Sequence, residues 1–294
     1  MFKNLVWKQD RLLVGDIVLR VEQEKSQDWE LGQECLDFFK GKWTVDQYDS
    51  FFSRRSDFQP KNIFELGIWD GGSTVFWFEC LRPQKIVAVD LNKREDNPYF
   101  KRYVFMRGLE QRIKTVWGIN QADPGQLRAL VRSEFEDPLD LVIDDASHMY
   151  DPTKISFQTL FPLLRPGGLY IIEDWAWGHW KEFQNPAHPW RNETELTRLV
   201  VECVEAIGST QTFSPRKREE DSGAEVVSEA LINSLTIFPH FTVVERGDVD
   251  STKLDNFKLD SFISKRRNPA THLELFERLR RVYRQAAEYL VSAR

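Results

Sequence analysis

The chain has 294 residues, with 40 Lys+Arg against 46 Asp+Glu, a net charge of −6, and 41% hydrophobic residues, the balance of a soluble globular protein with one large α/β domain or two small ones. No apolar run approaches the ~18 residues a membrane span requires, and Met1-Phe-Lys-Asn-Leu-Val-Trp-Lys8 lacks the basic-then-apolar pattern of a secretory leader. The acidic balance argues against nucleic-acid binding, which needs a basic face, and Cys35, Cys80 and Cys203 are too scattered for a disulfide framework or a zinc site, so a cytoplasmic, reducing setting is the expectation.

Three segments are expected: 1–58, 59–250 and 251–294. In the first, apolar residues are irregularly spaced. Trp29, Leu31, Cys35, Leu36, Phe38 and Phe39 predict one helix with a partly buried face, part of a helical cover or oligomerisation element. From residue 61 strands and helices alternate. Lys61–Gly67 reads as a strand, Ser73–Leu81 as a helix stopped by Pro83, and Lys85–Asp90 as a second strand. A helix follows from Asn97 with Pro98 at its first position, then a strand over Ile113–Gly118. Asp123-Pro124 opens the next helix, Leu141–Asp144 is a fourth strand, and Asp151-Pro152 opens another helix. Arg165-Pro-Gly-Gly168 reads as a turn before a fifth strand, Leu169–Glu173. Strands so apolar, separated by helices, predict a doubly wound parallel sheet covered on both faces.

Beyond a Trp-rich loop, Asn192–Ile207 reads as an amphipathic helix with Asn192 and Glu195 at capping-box spacing. Pro215–Ser222 is charged and free of apolar residues, hence a loop. Leu235–Phe238 and Phe241–Val244 predict a hairpin turning at Pro239-His240, which would end the sheet on an antiparallel strand. Thr271 and Glu274 cap a last helix. Residues 265–294 carry eight Lys/Arg against three Asp/Glu, read as a solvated face or a subunit contact.

In a doubly wound sheet, ligands bind outside the carboxyl ends of the strands. Four motifs stand there. Glu65-Leu-Gly-Ile-Trp-Asp-Gly-Gly-Ser-Thr74 is a Gly-rich turn from strand to helix, and Asp90 ends the next strand, where a carboxylate can accept from ribose hydroxyls. Tight-turn glycines and a capping Asp are the plainer alternative. Trp69 stands where a dinucleotide turn needs its second glycine, so a cofactor without a pyrophosphate fits better. Ile143-Asp-Asp-Ala-Ser-His148 and Ile172-Glu-Asp-Trp175 end the fourth and fifth strands. If those strands are neighbours, up to four carboxylates converge, and a hard divalent cation would relieve their repulsion.

The acidic residue before a Gly-rich turn and the terminal hairpin resemble the class I S-adenosylmethionine-dependent methyltransferases, with their Rossmann-like fold. Asp-Asp-x-Ser-His148, Leu160-Phe-Pro-Leu-Leu-Arg-Pro-Gly-Gly168 and Tyr-Ile-Ile-Glu-Asp174 are similar to the metal-dependent sugar O-methyltransferases of macrolide (mycinamicin-type) and rhamnosyl-polyketide biosynthesis. The resemblance implies Asp145, Glu173 and Asp174 as Mg²⁺ ligands and His148 as general base. It implies that Glu65, Gly67, Ser73, Asp90, Gln121 and Asp144 bind or face the S-adenosylmethionine cofactor. The acceptor implied is a small hydroxylated or glycosylated natural product, and a homo-oligomer is expected. A nucleotide-dependent oxidoreductase and a silent cofactor-binding or assembly protein are the alternatives. Trp175, Trp177, Trp180 and Trp190 could stack on the acceptor, though each taken singly suits a core better.

Overall fold

The computed structural model describes residue 2 and residues 5–21, 34–210 and 230–263. The loop expected over Pro215–Ser222 and the helix capped by Thr271 lie outside the described residues.

Seven strands make the main sheet, in the spatial order β10-β11-β9-β8-β5-β6-β7. They are β5 (Asn62–Leu66), β6 (Lys85–Asp90), β7 (Ile113–Trp117), β8 (Leu139–Asp144), β9 (Leu164–Glu173), β10 (Ile232–Ile237) and β11 (Phe241–Arg246). Five of them, β9-β8-β5-β6-β7, run parallel, while β11 pairs antiparallel with both β9 and β10. Chain order reverses between β5 and β8, so the crevice of the switch point opens above those two strands.

Both sheet faces are covered, as the apolar strands require. In β5, Ile63 belongs to one core cluster while Phe64 and Leu66 belong to the other. In β9, Ile171 and Ile172 divide the same way. On one face pack α1 (Lys42–Ser53), α2 (Gly72–Leu81) and α3 (Pro98–Met106); on the other pack α4 (Pro124–Glu134), α5 (Tyr150–Leu160) and α6 (Thr197–Thr210). Local chemistry fixes several helix starts. Asn97 accepts from the amide of Tyr99 at 2.7 Å with Pro98 next in line, and Asp123 accepts from the amide of Gln126 at 3.0 Å.

Four expectations need correction. Residues 5–21 form a meander, β1 (Leu5–Lys8), β2 (Arg11–Val14) and β3 (Ile17–Val21), and Leu36–Phe38 is strand β4, parallel to β3, rather than part of a helix. Residues 29–33 of that expected helix are outside the described set. Residues 165–168 are an irregular insertion within β9, whose register shifts there against β8, because strand pairing resumes at once on both sides. Helix α5 starts at Tyr150, one residue before Asp151. Helix α6 starts at Thr197, so Asn192 and Glu195 do not form its capping box; the amide of Tyr150 instead bonds the Thr194 carbonyl at 3.2 Å and holds that stretch against α5.

Among the described residues no helix is long and apolar enough to cross a membrane.

Candidate active site

A cavity of about 580 Å³ opens at the carboxyl ends of β5, β6, β8 and β9, within the size range of small-molecule sites. Gly67 gives it its floor. Its φ is +99°, and a Cβ there would lie 2.2 Å from the carbonyl oxygen of Asp145, so only glycine lets the turn run this close to the end of β8. Gly72 plays a similar part against β4, where a Cβ would meet the Asp37 carbonyl at 2.0 Å. The residues after β4 thereby become a wall of the cavity: Phe39, Lys40 and Trp43 all line it. Asp70 ties this wall down, accepting from the Asp37 amide and from Asn97 Nδ2, both at 2.8 Å.

Gly67, Ser73, Asp90 and Gln121 line the cavity. The Asp90 carboxylate already accepts from the amides of Ile68 and Trp69, at 3.0 and 3.1 Å, and from Asn92. It shapes the turn as well as facing the cavity. Gln121 accepts from the Ser147 amide at 2.9 Å. Trp69, left-handed at φ +52°, sets its ring edge-on to Phe39 and lines the cavity. An indole therefore stands where a dinucleotide turn presents glycine.

Glu65 and Asp144 are placed differently from expectation, since neither lines the cavity. Glu65 is fully buried and accepts from the Thr74 hydroxyl at 2.6 Å, fastening the turn to α2; burial pushes its pKa up to about 7, against the hydroxyls of Thr74 and Ser73 and the charge of Lys40. Asp144 ends β8 pointing into the core, where Ser156 and Tyr170 donate to it at 2.6 and 2.8 Å. Burial raises its pKa to about 6 despite those donors. Adjacent residues leaving a strand point to opposite sides, so of the Asp144-Asp145 pair only Asp145 reaches the cavity.

Strands β8 and β9 are neighbours, which brings the two acidic pairs together. Asp145, His148, Glu173 and Asp174 all line the cavity. Asp145, His148 and Asp174 can each offer a ligand atom within 4.8 Å of the others. His148 Nε2 lies 3.8 Å from Asp145 Oδ1, and His240 Nδ1 lies 3.9 Å from Asp174 Oδ1. Burial alone would raise the pKa of Asp174, but the neighbouring imidazoles of His240 and His148 and the Lys40 ammonium outweigh it and hold the acid below its ordinary value. Glu173 goes the other way: burial and the charge of Asp145 push its pKa up, against the opposing pull of Lys40. His148 and Asp174 have φ of +57° and +50°. Left-handed non-glycine residues are costly and gather at functional sites; here, with Trp69, three border one cavity.

Sequence reasoning missed three residues of this site. Lys40 extends its ammonium to Asp145 Oδ2 at 2.6 Å and Glu173 Oε2 at 2.7 Å, with its side chain 4% exposed. Trp43 and His240 stack edge-on at the rim, ring centroids 5.5 Å apart. Lys40 and Asp145 are 105 positions apart, and no local pattern links them. His240 sits in the turn already read from Pro239-His240, and its backbone carbonyl accepts from the Asp174 amide. Of the tryptophans, Trp177 is buried, while Trp180 packs against His240, ring centroids 5.3 Å apart.

Residues 64–175 match the family described as a methyltransferase domain. Demethylmacrocin O-methyltransferase of Streptomyces fradiae is 30% identical over 213 residues, covering 70% of this chain and 49% of that protein. Mycinamicin VI 2''-O-methyltransferase of Micromonospora griseorubida is 31% identical over 215 residues, covering 71% and 49%. The chain thus spans about half the length of these curated relatives. Among solved structures, the MycE methyltransferase of the mycinamycin biosynthetic pathway, in complex with Mg and SAH, superposes with a TM-score of 0.51 at 29% identity, covering 71% of this chain and 51% of that one. On this fold, site and likeness, residues 64–175 match the methyltransferase domain family, the seven-strand sheet has the class I methyltransferase fold, and the chain is similar to O-methyltransferases that act on macrocin- and mycinamicin-type compounds.

Proposed function

We propose that the chain is an O-methyltransferase that methylates a hydroxyl, on the sugar of a small glycosylated natural product, with His148 as general base. The observation that supports this most is the meeting of Asp145, His148 and Asp174 within 4.8 Å, in the same cavity as the Gly67 turn and Asp90. The strand-end acids offer oxygen ligands that suit a hard divalent cation, His148 stands beside them as the base, and the adjoining cavity suits an adenosine-containing methyl donor.

S-adenosylmethionine, when bound, supplies the methyl group, and Mg²⁺, when bound, lowers the pKa of a coordinated acceptor hydroxyl. Gly67, Ser73, Asp90 and Gln121 would hold the methyl donor, with Glu65 and Asp144 supporting them from behind. Asp145, Glu173 and Asp174 would hold the cation. His148 Nε2 takes the proton from the acceptor hydroxyl. Trp43 and His240 offer faces at the rim on which a sugar or an apolar aglycone can rest. Orientation of the hydroxyl towards the methyl group supplies much of the acceleration.

The test is calorimetric titration with S-adenosylhomocysteine and NAD, followed by assay of methyl transfer to demethylmacrocin and mycinamicin VI with and without chelator. Binding of S-adenosylhomocysteine and chelator-sensitive methylation of a glycosylated acceptor are expected. Binding of NAD in its place would refute the proposal.

A further inference from the structure

Lys40 follows β4 and precedes α1, and its side chain is 4% exposed. Its ammonium lies 2.6 Å from Asp145 Oδ2 and 2.7 Å from Glu173 Oε2. These are two of the three acids proposed above to hold a divalent cation. A buried ammonium held this closely by two carboxylates is the cluster's own counter-ion. Its position is built into the fold: the Asp37 amide is fixed to Asp70 at 2.8 Å, and Gly72 admits the Asp37 carbonyl so closely that a Cβ would meet it at 2.0 Å.

The ammonium takes one oxygen of each acid, Asp145 Oδ2 and Glu173 Oε2, and a second cation on either carboxylate would stand a few ångströms from it. A magnesium-sized ion sits at ~2.0–2.1 Å from its carboxylate oxygens, and like charges a few ångströms apart in a poorly screened site repel strongly. Lys40 has somewhere to go, because it lines the cavity.

We infer that a divalent cation enters this site by exchange with Lys40: the ammonium leaves Asp145 and Glu173 as the metal takes them, so Lys40 sets the site's metal affinity. The inference rests on the proposed metal role of Asp145 and Glu173. Lys40 is thus a positioning residue that keeps the acids together and neutralised before the metal arrives.

The test uses Mn²⁺ binding, followed by the loss of the free-ion electron paramagnetic resonance signal, on the full chain and its K40Q and K40R variants. Removing the competing charge is expected to tighten Mn²⁺ binding at least tenfold in K40Q, with K40R staying near the parent protein. A second measurement needs no variant. Acetic anhydride labelling of Lys40, read by mass spectrometry, is expected to rise at least fivefold on saturation with Mg²⁺. Tight Mn²⁺ binding that is equal in the parent and K40Q, with Lys40 unlabelled in both states, would overturn the exchange and leave the metal role standing. No Mn²⁺ binding at millimolar concentration by the parent or by K40Q would overturn both.

Discussion

The indole of Trp177 donates its Nε1–H to the backbone carbonyl of His148 across 2.7 Å. Trp177 is buried, and His148 holds a left-handed φ of +57°. A strained backbone persists only where its surroundings over-determine it, and this bond is one of the restraints. W177F keeps the apolar bulk and removes the donor. The expected result is a fall in kcat of about tenfold or more through misplacement of the base, with S-adenosylhomocysteine affinity unchanged. Parallel losses in kcat and cofactor affinity would instead mean that the substitution disturbs the whole cavity.

Removing the imidazole tests the base itself. H148A is expected to lower kcat by roughly 10²–10⁴-fold, the usual contribution of a positioned general base. Binding of S-adenosylhomocysteine is expected to stay within about threefold of the parent, because His148 stands with the acid cluster rather than in the Gly67 turn. Steady-state kinetics and calorimetry on the same preparation separate the two. Parent-like kcat in H148A would remove His148 from the chemistry.

What the sequence made legible was local or periodic. The strand-end motifs at Gly67, Asp90, Asp145 and Glu173 announce themselves because the apolar run and the acid that ends it are contiguous. Asp144 and Asp145 look alike in a string of letters; the pleat turns one into the core and the other into the cavity, and that depends on the register of β8 against β9. Lys40 and Asp145 meet only because β4 is set against α2 at Gly72, a tertiary event with no local signature. The N-terminal meander did carry a sign: β2 and β3 pair Val14 with Ile17 across a two-residue Gly15-Asp16 loop, with φ +64° at Gly15, a common hairpin turn composition.

Gly67 offers a sharp steric test. In G67A the new methyl group would lie 2.2 Å from the Asp145 carbonyl oxygen, at a φ of +99°. Strain and overpacking together are expected to cost about 2–4 kcal/mol of stability. Relief requires the turn to move away from β8, so S-adenosylhomocysteine binding is expected to weaken sharply even where the protein stays folded. Urea denaturation and calorimetry measure the two effects. Retained parent affinity in G67A would show that the cofactor does not depend on this turn.

Glu65 gives a prediction in pH. Burial raises its pKa from the ordinary 4.5 to about 7, against the opposing hydroxyls of Thr74 and Ser73 and the charge of Lys40. A carboxyl group with a raised folded pKa binds its proton more tightly in the folded state, so protonation favours folding. Its contribution is therefore full below pH 4.5 and is lost as the pH rises through about 7. The swing from this group is about 3 kcal/mol at most. In E65Q the amide oxygen can still accept from the Thr74 hydroxyl, but nothing titrates. Other groups shape both stability curves equally, so the difference between E65Q and the parent isolates Glu65. Relative to the parent, E65Q is expected to gain about 2–3 kcal/mol between pH 5 and pH 8, measured by urea denaturation at each pH. Parallel curves would show that Glu65 stays ionised in the fold and that its hydrogen bonds outweigh its burial.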